Sequence, residues 1–291
     1  MHPRVTLQLP LMAQPPVIVQ GATALLIGHG YVAQALGPVL TQAGVTVRHT
    51  VRDGDGLVHG SRAMQQAFQD ADLILVSVPP GRGGPEPTIA ALDRMPTKAR
   101  WIGYLSATSV YGDRQGQWAY EGEAPSPSLA RGHRRAYAEL AWLEHYPQTQ
   151  IFRLAGIYGP GRAPFSRIRA GTARIVDVPG HVVNRIHVLD IVSALMASIV
   201  RPSPQDIYNL ADGHPAPPGE VLRYAASLIE ADEPSVIGLD DPSLSEMARS
   251  FYAEAKRIDI GRAQARLGWT PQFRTYAEGL RSVLASERKT I

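Results

Sequence analysis

The chain has 291 residues, 44% of them hydrophobic and 19% charged, with a formal net charge of +3. That composition supports a sizeable buried core and excludes a disordered or fibrous chain. Cysteine is absent, which rules out disulfides, thiolate nucleophiles and zinc–cysteine sites and points to a cytoplasmic protein.

The basic residues are nearly all arginine; the lysines are Lys98, Lys256 and Lys289. They are scattered rather than gathered on one face or tail, so no nucleic-acid partner is expected. No apolar run approaches the ~20 residues that span a bilayer, and no membrane partner is expected. Residues 1–20 hold Pro3, Pro10, Pro15 and Pro16 and lack the charged-then-apolar order of a signal peptide; they read as an N-terminal arm.

Regular structure begins with the apolar run 24–27, a strand buried on both faces. It runs into Gly28-His29-Gly30-Tyr31-Val32-Ala33, and residues 31–42 follow with helical apolar spacing. Pro38 is expected to end or kink that helix early, and Gly44 to cap it. Residues 45–50 form the second strand and complete a βαβ unit. Further helices are expected over 62–69, 88–94 and 131–145, and further strands over 73–78, 101–105 and 151–154. Strands alternating with helices predict an α/β fold with a doubly wound parallel sheet of the Rossmann type over 21–155. From 156 onward the texture changes to glycine- and proline-rich loops and helices near 190–200, 221–230 and 259–267. Residues 156–291 read as a smaller, mixed substrate-side lobe that partly returns to the main sheet.

A dinucleotide pyrophosphate needs backbone N–H groups at a helix N-terminus with no side chain in the way. Gly28 permits the tight turn after the strand, Gly30 the close approach of phosphate, and the small Ala33 the packing of helix on strand. His29, Tyr31 and Val32 complete the cofactor-facing loop. An arginine at the end of the second strand suits the 2′-phosphate of NADP, and Arg52 is the best-placed charge there. Asp53, just beyond, keeps NAD open.

Several segments together carry a family resemblance: the glycine loop, 106–112 (SATSVYG), 153–161 (RLAGIYGPG), 185–190 (RIHVLD), Tyr208-Asn209 with Asp212, and Leu267-Gly268-Trp269 with Pro271. Over roughly residues 22–285 the chain resembles the extended short-chain dehydrogenase/reductase superfamily, the NAD-dependent epimerase/dehydratase family. That resemblance implies a nicotinamide cofactor touched also by Val78, Pro79, Ala155 and Gly156, and a small-molecule substrate. It further implies catalysis by a Tyr-x-x-x-Lys pair and an upstream Ser or Thr. Here Ala107 stands at the Ser/Thr position, Arg131 at the tyrosine and Arg135 at the lysine, which marks an atypical subgroup lacking the pair.

Ser106, Thr108 and Tyr111 are the remaining catalytic candidates, although strand alternation turns Ser106 and Thr108 away from the direction of Ala107. Tyr137 lies about 120° from Arg131 around the helix and is expected to pack. Arginine stays protonated and so is a poor acid or base, but it clamps phosphate or carboxylate well. Arg135 is therefore assigned to the cofactor and Arg131 to an anionic substrate; Arg162, Asn184 and Arg185 fall in segments that the resemblance implies line the cleft for an anionic or sugar-like substrate. The alternative for the helix is a solvated face of Arg131, Arg134 and Arg135 with Glu139 and Glu144. No metal site is expected. Helix 131–145 corresponds to a frequent dimer helix in the family, so monomer or homodimer is expected. The function expected is an epimerase/dehydratase-like oxidoreductase with a non-standard site; the alternative is an inactive NADP(H)-binding sensor or scaffold.

Overall fold

The computed structural model describes residues 19–54, 56–81 and 86–288. Most of the expected N-terminal arm lies outside the described residues. The first unit is β1 (Thr23–Ile27), α1 (Tyr31–Gln42) and β2 (Thr46–Val51), followed by a short β3 (Leu57–Val58) that the sequence pattern did not suggest. Next come α2 (Arg62–Asp70), β4 (Leu73–Val76), α3 (Pro87–Leu92), β5 (Trp101–Ala107), β6 (Trp118–Ala119), α4 (Ala130–His145) and β7 (Thr149–Leu154). The second half contributes β8 (Gly156–Tyr158), α5 (Phe165–Arg169), β9 (Ile175–Val176), β10 (Arg185–His187), α6 (Val188–Val200) and β11 (Ile207–Leu210). Then follow α7 (Pro218–Leu228), β12 (Val236–Ile237), α8 (Glu246–Ser250), β13 (Arg257–Ile258), α9 (Gly261–Leu267) and α10 (Tyr276–Arg288).

Seven strands form one sheet in the order β11-β7-β5-β4-β1-β2-β3, with every pairing parallel. The expected α/β, doubly wound parallel sheet is thus present, and β11 from the second half joins it beside β7. The chain leaves β1 in one direction for β2 and β3, then returns to β4 on β1's other side. Strand order therefore reverses between β1 and β4, and in open α/β sheets the crevice outside that reversal takes ligands.

The apolar strands are buried on both faces because helices cover both. On one face Leu26, Leu75 and Leu105 pack with Leu36 and Leu40 of α1 and Leu195 of α6. On the other, Ile27, Ile74 and Tyr104 pack with Phe68 of α2, Leu92 of α3 and Trp142 of α4. A third cluster joins α5, α7 and α10 through Phe165, Ala225 and Val283.

Pro38 does not stop α1, which runs unbroken to Gln42. Proline removes the bond to the Gln34 carbonyl. However, Pro38 sits on the exposed face, where water reaches that carbonyl, while its neighbours Val39 and Leu40 are buried. The helix then closes as expected. Gly44, at φ +80°, donates to Thr41 O at 3.0 Å, and Val45 donates to Leu40 O at 3.0 Å, the paired bonds of a Schellman cap.

Candidate active site

The loop after β1 is built around a forced glycine. Gly28 has φ +91°, and a Cβ there would lie 2.7 Å from Ser77 Oγ. Ser77, just past β4, accounts for that closeness: its hydroxyl donates to the carbonyls of Ile27 (3.2 Å) and Gly28 (3.1 Å). From the other side Gly28 N donates to Thr50 Oγ1 at 2.7 Å. Sequence reasoning missed both hydroxyls; the only signal for Ser77 was its position at the end of an apolar run. Strand β4 stops at Val76, two residues earlier than expected, which frees Ser77 and Val78 for this turn.

Gly30 is the N-cap of α1, and a Cβ placed on it would meet nothing within 4 Å. The cap makes no side-chain hydrogen bond, and the first turn carries no acidic residue. The cap residue thus offers no side-chain acceptor to the first N–H groups of α1. His29 stacks on His49 of β2 with ring centroids 3.8 Å apart, and burial, then the neighbouring ring, lowers its pKa. Tyr31 OH donates to Pro160 O at 2.9 Å, tying the loop to a segment 129 residues away. Burial raises the Tyr31 pKa to about 12. Arg162 lies with its guanidinium 5.6 Å from the Tyr31 ring centroid, beside the glycine loop. Val32 is buried, and Arg52 is exposed one residue beyond β2.

Around the crevice stand Val78, half-buried, and Pro79, exposed, beyond β4, and Ala155 and Gly156 beyond β7. Ala155 N donates to Leu210 O and Gly156 N to Asn184 O, each at 3.0 Å. Arg135 Nη1 donates to Leu105 O at 2.9 Å and to Tyr104 OH at 3.0 Å, so it bridges α4 to the end of β5.

Ser106 points to α4, and its hydroxyl donates to Glu139. Glu139 is 3% exposed and in turn takes a two-pronged contact from Arg153, 1% exposed, with Nη2 to Oε2 at 2.7 Å and Nε to Oε1 at 3.1 Å. Glu139 therefore does not belong to the solvated face proposed for α4. The Arg153 guanidinium lies 4.8 Å from the Tyr111 ring centroid, and Tyr111 OH donates to Asn209 Oδ1 at 2.8 Å. Tyr111 is fully buried, and burial raises its pKa. Ser106 and Tyr111 are thus both committed to buried partners. Thr108 opens the short 3₁₀ turn Thr108–Tyr111 and is half-buried. Tyr137 does not pack; it is 63% exposed.

Arg131 grips Ser250 of α8, with Nη1 to Oγ at 2.7 Å and Nη2 to the carbonyl at 2.9 Å. Asn184 uses its amide on the backbone, donating to Lys256 O (2.8 Å) and accepting from Ile258 N (2.9 Å). Arg185 is half-buried; it donates from Nη1 to Val183 O and Ala216 O, and its partial desolvation lowers its pKa. Nearby, burial lifts Asp212 to about 7 and Asp190 to about 6. The structure therefore sets Arg162 beside Tyr31 of the glycine loop and Arg135 at the end of β5. Arg131 reaches from α4 to α8, while Asn184 and Arg185 are bonded to backbone of the second half.

The all-parallel sheet, the reversal of strand order and the forced glycine turn define an α/β fold of the Rossmann type. No protein-family profile matches the chain. Protein YeeZ of Escherichia coli strain K12 is 32% identical over 218 residues, covering 71% of this chain and 73% of that protein. The chain belongs to the family of YeeZ. A functionally unknown conserved protein from Silicibacter pomeroyi DSS has a solved structure that is 38% identical, with TM-score 0.83, covering 91% of this chain and 98% of that one. MoeE5, solved with UDP-glucose and NAD, shares the fold at 21% identity and TM-score 0.74, covering 92% of this chain and 99% of its own.

Proposed function

We propose that this chain binds NADP(H) and is an epimerase/dehydratase-like oxidoreductase acting on a small anionic or sugar-like substrate. The observation that carries the reading is the glycine turn, where Gly28 excludes any side chain and Gly30 leaves open space before the uncapped helix. Such a site fits a pyrophosphate: the first N–H groups of α1 would hold it, with helix dipole and hydrogen bonds acting together. Arg52, exposed past β2, would pair with a 2′-phosphate, and the bond of Arg135 to Leu105 O would aim that cation at the ribose. When bound, the cofactor supplies hydride transfer; the protein's part is to bind and orient. With arginines at 131 and 135, alanine at 107 and Ser106 spent on Glu139, no standard triad assists it. The site belongs to an atypical subgroup.

A thermal-shift series with NADP⁺, NADPH, NAD⁺ and NADH tests this. A ligand at a hundred times its Kd adds about 2.7 kcal/mol, or about 5 °C in a chain of this size. NADPH is expected to give the largest shift, and R52A to weaken NADPH by about 10- to 100-fold with NADH unaffected, as for a charge-assisted hydrogen bond. Absence of any shift overturns the reading; equal loss of both cofactors in R52A overturns the NADP assignment. The displaced triad favours one second reading, a non-catalytic NADP(H)-binding sensor or scaffold. Turnover of bound NADPH by any member of a carbonyl-compound panel would eliminate it.

A further inference from the structure

Arg131 reaches across to α8 in an unusual way. Its two terminal nitrogens bind two oxygens of one residue, Ser250 Oγ and Ser250 O. That fork is the geometry with which a guanidinium takes a carboxylate, yet here both acceptors are neutral. Helix α8 contributes no buried residue, and Met247 and Phe251 beside the grip are 67% and 60% exposed. The segment is thus lightly packed, and an anion offering the same two oxygens would outcompete it for Arg131.

A second cation stands near the start of α4. Lys256 is 7% exposed, and among the described residues one hydrogen bond is found for its ammonium, to Glu254 Oε2 at 2.8 Å. An ammonium has three donors, so two remain for a ligand. Glu254 itself is held by Ser128 Oγ at 2.5 Å, three residues before Arg131, which sets the pair against the start of α4. Arg131 is near enough to act on the charge of Lys256. His181 completes the set: it is 4% exposed, its ring centroid lies 5.1 Å from that of Tyr252, two residues past Ser250, and its Nε2 has no partner among the described residues. Burial lowers its pKa, so the ring is neutral and its free nitrogen can serve a hydroxyl. A buried nitrogen without a partner is costly unless something occupies it.

We infer that the substrate carries a carboxylate, which displaces Ser250 from Arg131 and is received between Arg131 and Lys256, while His181 Nε2 meets a neighbouring hydroxyl and α8 acts as the displaced cover. The inference rests on the proposed substrate side of this site and narrows its substrate to hydroxy- or oxo-acids.

The test uses full-length protein saturated with NADP⁺, titrated by calorimetry with matched pairs: D-glucuronate against D-glucose, D-gluconate against sorbitol, and L-lactate against propane-1,2-diol. Inorganic phosphate is a fourth arm. At least one acid is expected to bind 10-fold or more tighter than its neutral partner, and tighter than phosphate. Hydrogen exchange of residues 246–251 should quicken when it binds. R131M and K256M are each expected to weaken that acid 10-fold or more with NADP⁺ binding unchanged. Because K256M strands the buried Glu254, the double variant E254Q/K256M is measured beside it and is expected to show the same loss. Neutral partners binding as well as every acid, phosphate binding better than all of them, or full affinity in R131M and the double variant would each overturn the inference. Should the protein bind an acid but no dinucleotide, the cofactor reading fails and this one stands.

Discussion

Replacing Arg153 by methionine probes what holds α4 against the sheet. Arg153 (1% exposed) and Glu139 (3% exposed) face each other through a fork of bonds between β7 and α4, and Ser106 of β5 donates to the same carboxylate. Methionine fills similar volume but leaves the Glu139 carboxylate buried with Ser106 as its main remaining donor. Breaking a buried pair from one side costs about 3–5 kcal/mol, because an uncompensated charge stays in a low-dielectric site. In a chain of this size that is a fall of about 6–10 °C in Tm. The companion variant E139Q/R153M removes both charges, so it should recover about 2 kcal/mol relative to the sum of the single changes. Urea denaturation followed by far-UV circular dichroism measures all three variants and the parent, with the slope checked for constancy. A loss under about 1 kcal/mol in R153M, or a double variant equal to the sum, would refute the reasoning: the pair would then be solvated or replaceable.

Gly30→Ala separates binding from folding: with φ −79° and open space around the new methyl, Tm in the absence of ligand should hold within about 1 °C, while NADPH affinity drops 10-fold or more. Unchanged NADPH affinity would show that no phosphate approaches that backbone. Asp212→Asn tests the buried acids. The folded pKa of about 7 lies above the ordinary 3.8, so this group's stabilising contribution is full below about pH 4 and is lost as pH rises through 7. The parent should therefore lose up to about 4 kcal/mol between pH 4 and 8 from this group, and the Asn variant should lack that slope and gain on the parent at pH 8. Identical pH slopes in the two proteins would sink the assignment.

The glycine loop, the α/β alternation and the position of Arg52 were legible in the sequence because each is a local feature. A βαβ unit is set by apolar periodicity and turn residues within some thirty positions, and its chemistry follows from steric demands on a few neighbours. Even there, local rules had a limit. Pro38 reads as a helix stop, yet α1 runs through it because burial of Val39 and Leu40 outweighs one lost bond on a wet face.

Tertiary structure alone decided the rest. No spacing along the chain joins Glu139 to Arg153, Arg131 to Ser250, or Ser77 to Gly28; these contacts are made by strand order and loop docking across 14 to 119 positions. Charge type and helical spacing left a solvated face open as an alternative for Glu139, and only the packing of α4 on β5 and β7 showed it to be buried. The sequence thus determined where the tight glycine turn and the start of α1 fall. Which side chains are committed, and which still have donors to offer, depended on burial, a property of the folded chain.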